Sequence, residues 1–229
     1  MLIFDPMYFL FIAPAVLLGL WAQRRIHTAY AEAQKLPAPL SGAAAARHIL
    51  DSAGLNNIAI EPIPGQLSDH YDPRAKVLRL SEDVYGSRTL AAVGIAAHEA
   101  GHALQDALAY APLAIRNAAV PVAGIGSNAG VILIVLGALL HMNAMLIWLG
   151  IALFSAFVGF QIVNLPVEYN ASARAKAQLV TLGIVSDDEL RYVSKVLNAA
   201  ALTYVAATLQ AILTLLYYLT LVTGNRDRD

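Results

Sequence analysis

The sequence predicts a mainly α membrane protein: four transmembrane helices plus a small α+β part that holds a short sheet and a helix reading His-Glu-x-x-His. Three observations carry this expectation. Of 229 residues, 58% are hydrophobic and 14% charged, against about a quarter charged in a soluble domain. The charges are also missing in blocks: 51 consecutive residues from Asn117 to Val167, 30 from Val196 to Asn225 and a third run from Pro6 to Gln23 carry no Asp, Glu, Lys or Arg. Residues 98–102 read His98-Glu99-Ala100-Gly101-His102, and on a helix positions i and i+4 turn both imidazoles toward one point.

A spanning helix needs about 20 mostly apolar residues, so the longest block holds two spans with His141-Met142-Asn143 as the turn between them. The expected spans lie near 6–22, 119–140, 144–164 and 199–222. The first is a retained anchor and not a cleaved signal peptide, because Asp5 precedes it and Arg24-Arg25 follow, the reverse of a signal peptide's charge order. The chain thus divides into an anchor (1–23), a polar region carrying the His-Glu-x-x-His motif (24–116), a membrane hairpin (117–167), a second polar segment (168–198) and a last span with its tail (199–229).

Of the 15 Lys and Arg, 13 fall in the two polar segments, which the positive-inside rule places on the cytoplasmic face, with both termini outside. A parity argument is independent of that orientation. Two spans separate the segment with His98 from the segment after Val167, so both return to one side of the membrane and their side chains can meet. Net charge is −1, and the basic residues form no long run, so nucleic acid is not an expected partner. With no cysteine, disulfides and thiolate metal sites are excluded, and any metal is held by His and carboxylates.

Within the first polar segment, Ser41 is the N-cap of an Ala-rich helix over 42–53 that Gly54 ends in a left-handed conformation. Residues 57–63 read as a strand, Asp72-Pro73-Arg74 as a turn and 76–80 as a half-buried strand. Gly86-Ser87 offers the N-cap of the motif helix, expected over 88–108, whose apolar part from Leu90 to Ala97 is too short to cross a bilayer. Its small residues let other helices approach closely. Pro166 is expected to break the third span, so that Glu168 opens a new helix over 168–182 that Gly183 ends. Ser186 to Glu189 is a capping box for a last helix running unbroken into the fourth span.

Two histidines at this spacing, with Glu99 angled beside them to activate water, point to a zinc hydrolase, most often a peptidase. Catalytic zinc takes three protein ligands and keeps one open position. No third His stands six residues after His102, where Leu108 is found, so the ligand comes from elsewhere. Glu168 is the leading candidate, as the first charge after the uncharged block and on the matching side of the membrane. Its competing reading is a carboxylate stabilised by a helix N-terminus. Asp106 is the rival ligand, one turn beyond His102.

The stretches Asp69-His-Tyr-Asp-Pro-Arg74, His98-Glu-Ala-Gly-His-Ala-Leu-Gln105 and Leu165-Pro-Val-Glu-Tyr-Asn-Ala-Ser-Ala-Arg174 together resemble the bacterial membrane family of zinc-dependent neutral metallopeptidases, the YugP-like group. The resemblance covers essentially the whole chain. It implies a zincin-like catalytic part of gluzincin type, a plasma-membrane location, Zn²⁺ held by His98, His102 and Glu168, and Glu99 as general base. One departure stands out: four residues after the ligand glutamate, where many gluzincins place an Asp that orients a zinc histidine, this chain has Ser172, so that orientation is weaker or built differently.

Zinc would lower the pKa of water toward neutrality. Glu99 would accept the proton as water attacks the scissile carbonyl and return it to the leaving amine. The oxyanion needs a donor, for which His70 and Arg174 are the candidates. Their competing readings are a polar turn histidine and a lipid-headgroup contact. The 76–80 strand offers edge pairing to an extended peptide. His27, His48 and His141 read as structural or surface residues. The expected function is a membrane zinc endopeptidase acting on peptides or membrane proteins at the cytoplasmic face, in contact with the lipid bilayer and open to membrane-protein partners or a homo-oligomer. The alternatives are a non-hydrolytic scaffold that keeps a zinc, and an intramembrane protease.

Overall fold

A computed structural model describes residues 5–66 and 68–223. The expected outer tip at residues 1–4 and the tail with Arg226 and Arg228 lie outside the described residues. In chain order the elements are α1 (Pro6–Gln34), α2 (Gly42–Ser52), β1 (Ala59–Ile63), β2 (His70–Asp72), β3 (Val77–Ser81), α3 (Glu82–Gly86), α4 (Leu90–Ala107), α5 (Ala111–Leu139), α6 (Ala144–Thr181) and α7 (Asp187–Thr223). The fold is the expected mainly α one with a small sheet, and α1, α5, α6 and α7 are each long and apolar enough to cross a membrane. The residues group into two compact units.

One unit takes residues up to Trp21, Ile115–Leu165 and those from Thr203 onward. Its core gathers Ile134, Ile147, Phe154 and Tyr217. Within it α5 and α6 pack backbone to backbone: a Cβ on Gly126 would lie 2.4 Å from the Leu153 carbonyl oxygen. The turn between them is the one expected, with His141 and Met142 at positive φ and the Asn143 Oδ1 accepting from the Leu146 N–H. The outward residues are large and apolar, Leu10 at 67%, Ile125 at 63% and Met145 at 77% exposure, a surface suited to lipid.

The other unit, Ala22–Ala114 with Pro166–Leu202, holds the sheet and the motif. Ser41 Oγ caps α2 by accepting from the Ala44 N–H, and Gly54 follows at φ +72°. In the sheet, β3 is central. It pairs in parallel with β1, Ala59 opposite Val77, and antiparallel with β2, Tyr71 opposite Leu78. Edge pairing with a peptide is therefore closed to the 76–80 strand, whose two sides are already taken. The short β2 escaped the sequence reading, since three residues are too few to show a period. His70 consequently begins a strand and does not lie on a loop.

Two helix boundaries also differ from expectation. Ser87 does not cap the motif helix but closes α3, and the cap is Thr89, whose Oγ1 accepts from the Ala92 N–H at 3.2 Å. Thr89 is held extended by a bridge to Pro37, so its hydroxyl meets the helix at the right residue. Pro166 does not break the third span: α6 runs unbroken from Ala144 to Thr181. Proline removes one N–H donor, and in apolar helices packing against neighbours can keep the helix intact around it, as Pro14 and Pro121 also illustrate. Glu168 is therefore mid-helix and does not stand at a helix N-terminus. Gly183 ends the helix at φ +63° as expected, and Ser186 and Glu189 exchange the two bonds of a capping box.

Candidate metal centre

The centre is built on α4. Its inner face is mostly small or apolar, with Val93, Ala96, Ala97, Ala100 and Ala103 fully buried, and the polar residues buried with them are His102 and Gln105. Gly101 is required by close approach. A Cβ there would lie 2.5 Å from the Ala171 carbonyl oxygen of α6, below any real Cβ contact. That closeness brings the 166–172 stretch of α6 against the motif.

His98 Nε2 lies 3.3 Å from Glu168 Oε2, and His102 Nε2 lies 3.7 Å from the same oxygen. The three residues form a cluster whose ligand atoms all lie within 4.8 Å of one another. A tetrahedral ion about 2.0–2.2 Å from each donor needs donors roughly 3.3–3.6 Å apart, close to the two histidine–glutamate separations, and two imidazoles with a carboxylate are donor types that zinc takes. Among the described residues no other His and carboxylate cluster of that size occurs.

Each histidine has a partner at its other nitrogen. Ser172 Oγ stands 3.1 Å from His98 Nδ1, and Gln105 Oε1 stands 3.0 Å from His102 Nδ1. Gln105 Nε2 in turn donates to the Val167 carbonyl at 2.8 Å and to Asn170 Oδ1 at 3.0 Å. Both Nε2 atoms are thereby left toward Glu168, the arrangement metal-binding histidines adopt. Gln105 and Asn170 went unnoticed in the sequence as site residues. The signal for Gln105 was present, because position i+3 from His102 shares its helix face.

Glu99 follows His98 on α4 and is half-buried. Burial pushes its carboxyl above the usual range, against the pull of His98 and His102. His102 is shifted upward as well: burial works against the imidazolium, but the bond to Glu168 and the charges of Glu99 and Glu168 outweigh it. Of the remaining expected residues, Asp106 does not join the cluster. Its Oδ2 accepts from the Tyr71 hydroxyl at 2.7 Å and pairs with Lys76. Burial and that bond push the Tyr71 hydroxyl well above the ordinary phenol range, so it stays a donor. His70 is exposed with Nδ1 against the Ser68 carbonyl, and Arg174 Nε donates to Asn170 Oδ1 at 2.7 Å. His27, His48 and His141 are exposed.

The family model described as "Putative neutral zinc metallopeptidase" matches residues 8–223. A Bacillus subtilis (strain 168) protein named "Putative membrane protease YugP" is 44% identical over 226 residues, covering 97% of this chain and all of that protein. No solved structure matches significantly. A full-length match of both kinds, on a chain whose histidines and glutamate converge as zinc ligands would, means that it belongs to the neutral zinc metallopeptidase family, whose cofactor is Zn²⁺.

Proposed function

We propose that the protein is an integral membrane zinc endopeptidase of gluzincin type. His98, His102 and Glu168 hold the metal, and Glu99 is the general base. The observation that carries this is the convergence of two Nε2 atoms and one carboxylate oxygen within 4.8 Å, with Glu99 adjacent on the same helix. Zinc supplies Lewis acidity and lowers the pKa of water. The Glu99 carboxylate takes the proton released as water attacks the scissile carbonyl and hands it to the leaving amine. A raised carboxyl pKa suits both steps, because it brings the group's proton affinity closer to working pH.

The substrate is an extended peptide or a membrane protein segment presented at the cytoplasmic face, an orientation that the excess of Lys and Arg in the polar segments supports. With β3 enclosed, main-chain pairing falls to β2, a free edge among the described strands that Tyr71 ties to α4 through Asp106. His70 begins that edge and is the first candidate for the oxyanion donor; Arg174, with Nε committed to Asn170, is the second.

The test is metal analysis and proteolysis on two variants of the purified full-length protein. Glu99→Gln should keep zinc and lose at least about a hundredfold in turnover. Glu168→Ala should lose zinc and activity together. Full zinc content in Glu168→Ala would remove the third ligand, and an active Glu99→Gln would remove the general base.

A further inference from the structure

A neutral imidazole can carry its proton on either nitrogen, and only one choice leaves Nε2 free for a metal. In the His102 chain of hydrogen bonds that choice is dictated from a distance. The Val167 carbonyl can only accept, and the Arg174 guanidinium can only donate. Arg174 Nε donates to Asn170 Oδ1 at 2.7 Å, which turns that oxygen toward Gln105. Facing two acceptors, Val167 O and Asn170 Oδ1, the Gln105 amide must present its NH₂ to them, at 2.8 and 3.0 Å. Its Oε1 is then forced toward His102 Nδ1 at 3.0 Å. An amide oxygen cannot donate, so Nδ1 must carry the proton and Nε2 presents its lone pair toward Glu168.

Gln105 is fully buried, so no water can reverse the order. Ser172 gives His98 no such instruction. A hydroxyl both donates and accepts, and its contact with Nδ1 satisfies either tautomer.

Resting on the ligand set above, we propose that Gln105 is a positioning residue for the metal: through His102 it fixes the tautomer and ring orientation of one ligand, with Val167 O, Asn170 and Arg174 as the groups that set its own orientation. The two zinc histidines are therefore not equivalent. His102 is preset, whereas His98 adopts its metal-binding tautomer when the ion arrives.

The test compares Gln105→Leu and Gln105→Glu in the full-length protein in detergent, reading the zinc dissociation constant by chelator competition and the visible spectrum of the Co²⁺-substituted form. Gln105→Leu should weaken zinc by roughly 10–100-fold and alter the Co²⁺ bands. Gln105→Glu keeps an oxygen toward His102 in either protonation state, so it should bind zinc within a few-fold of the unmodified protein and keep its Co²⁺ spectrum. A role confined to packing would instead penalise Glu at least as much as Leu, because a carboxyl has at most one proton to offer the two acceptors Val167 O and Asn170 Oδ1 and, when ionised, sets a buried charge against them. If Gln105→Leu does not fold, the Glu variant decides alone: loss of zinc affinity of tenfold or more overturns the proposal. His102→Ala separates this from the underlying ligand assignment. Unchanged zinc affinity in His102→Ala would sink the ligand set and the proposal with it. Loss in His102→Ala beside unmodified affinity and spectrum in Gln105→Leu would sink the positioning role alone.

Discussion

His102 is the residue on which metal and proton compete most directly. Its affinity for a proton is raised by Glu168 and Glu99 in spite of burial, while zinc requires the neutral ring. Competition by protons should therefore begin above the ordinary histidine value of about 6.5. We expect zinc occupancy to fall as pH drops below neutrality, measured after dialysis against metal-free buffers between about pH 5 and 8. Occupancy that stays flat to pH 5 would contradict the shift. The metal-free protein should respond in the opposite sense: the stabilisation from protonated His102 is fully present below the unfolded pKa and is lost as pH rises through the raised folded one. The motif and Glu168 were legible in the sequence because helical spacing and the parity of two spans are properties of the chain alone. Gln105 was not, since its partners Val167 and Asn170 are more than 60 residues away.

For the elements, the contact of α4 with α6 decides whether the centre forms. Gly101 faces backbone, which cannot give way, whereas the nearest atoms to Gly94 belong to the Val193 side chain, Cγ1 at 2.9 Å. Gly101→Ala should destabilise the protein by about 1–3 kcal/mol and weaken zinc binding. Gly94→Ala should change stability by less than about 1 kcal/mol, because better helix propensity offsets a side-chain adjustment. Thermal unfolding and chelator competition check both; equal effects would show that backbone contact is not the deciding feature. Likewise Ser186→Ala should cost about 1 kcal/mol through loss of the capping box at α7, seen as a lower unfolding midpoint. Caps such as Ser41 and Ser186 were readable because the side chain and the amide it serves are neighbours in sequence. The continuity of α6 through Pro166 was not, because the packing that sustains it comes from other elements. The same holds for β3, which becomes central only once β2 pairs with it.

Taken whole, the molecule combines an apolar unit whose outer surface suits lipid with a second unit that carries all the proposed chemistry. The absence of cysteine makes orientation easy to measure. His48 is exposed on α2, so His48→Cys should react with a membrane-impermeant maleimide only where the cytoplasmic face is open to the reagent. Labelling of intact cells would reverse the proposed orientation.

The order in which the centre's parts occur along the chain sets when it can first act. His98 and Glu168 meet across 70 residues, and α5 lies wholly within that interval together with most of the apolar stretch of α6. At roughly 5–20 residues per second, a nascent chain carries both histidines for about 3–13 s before the glutamate is made. During that interval the proposed peptidase has no complete metal site, so a half-made copy cannot cut its neighbours or itself at the ribosome.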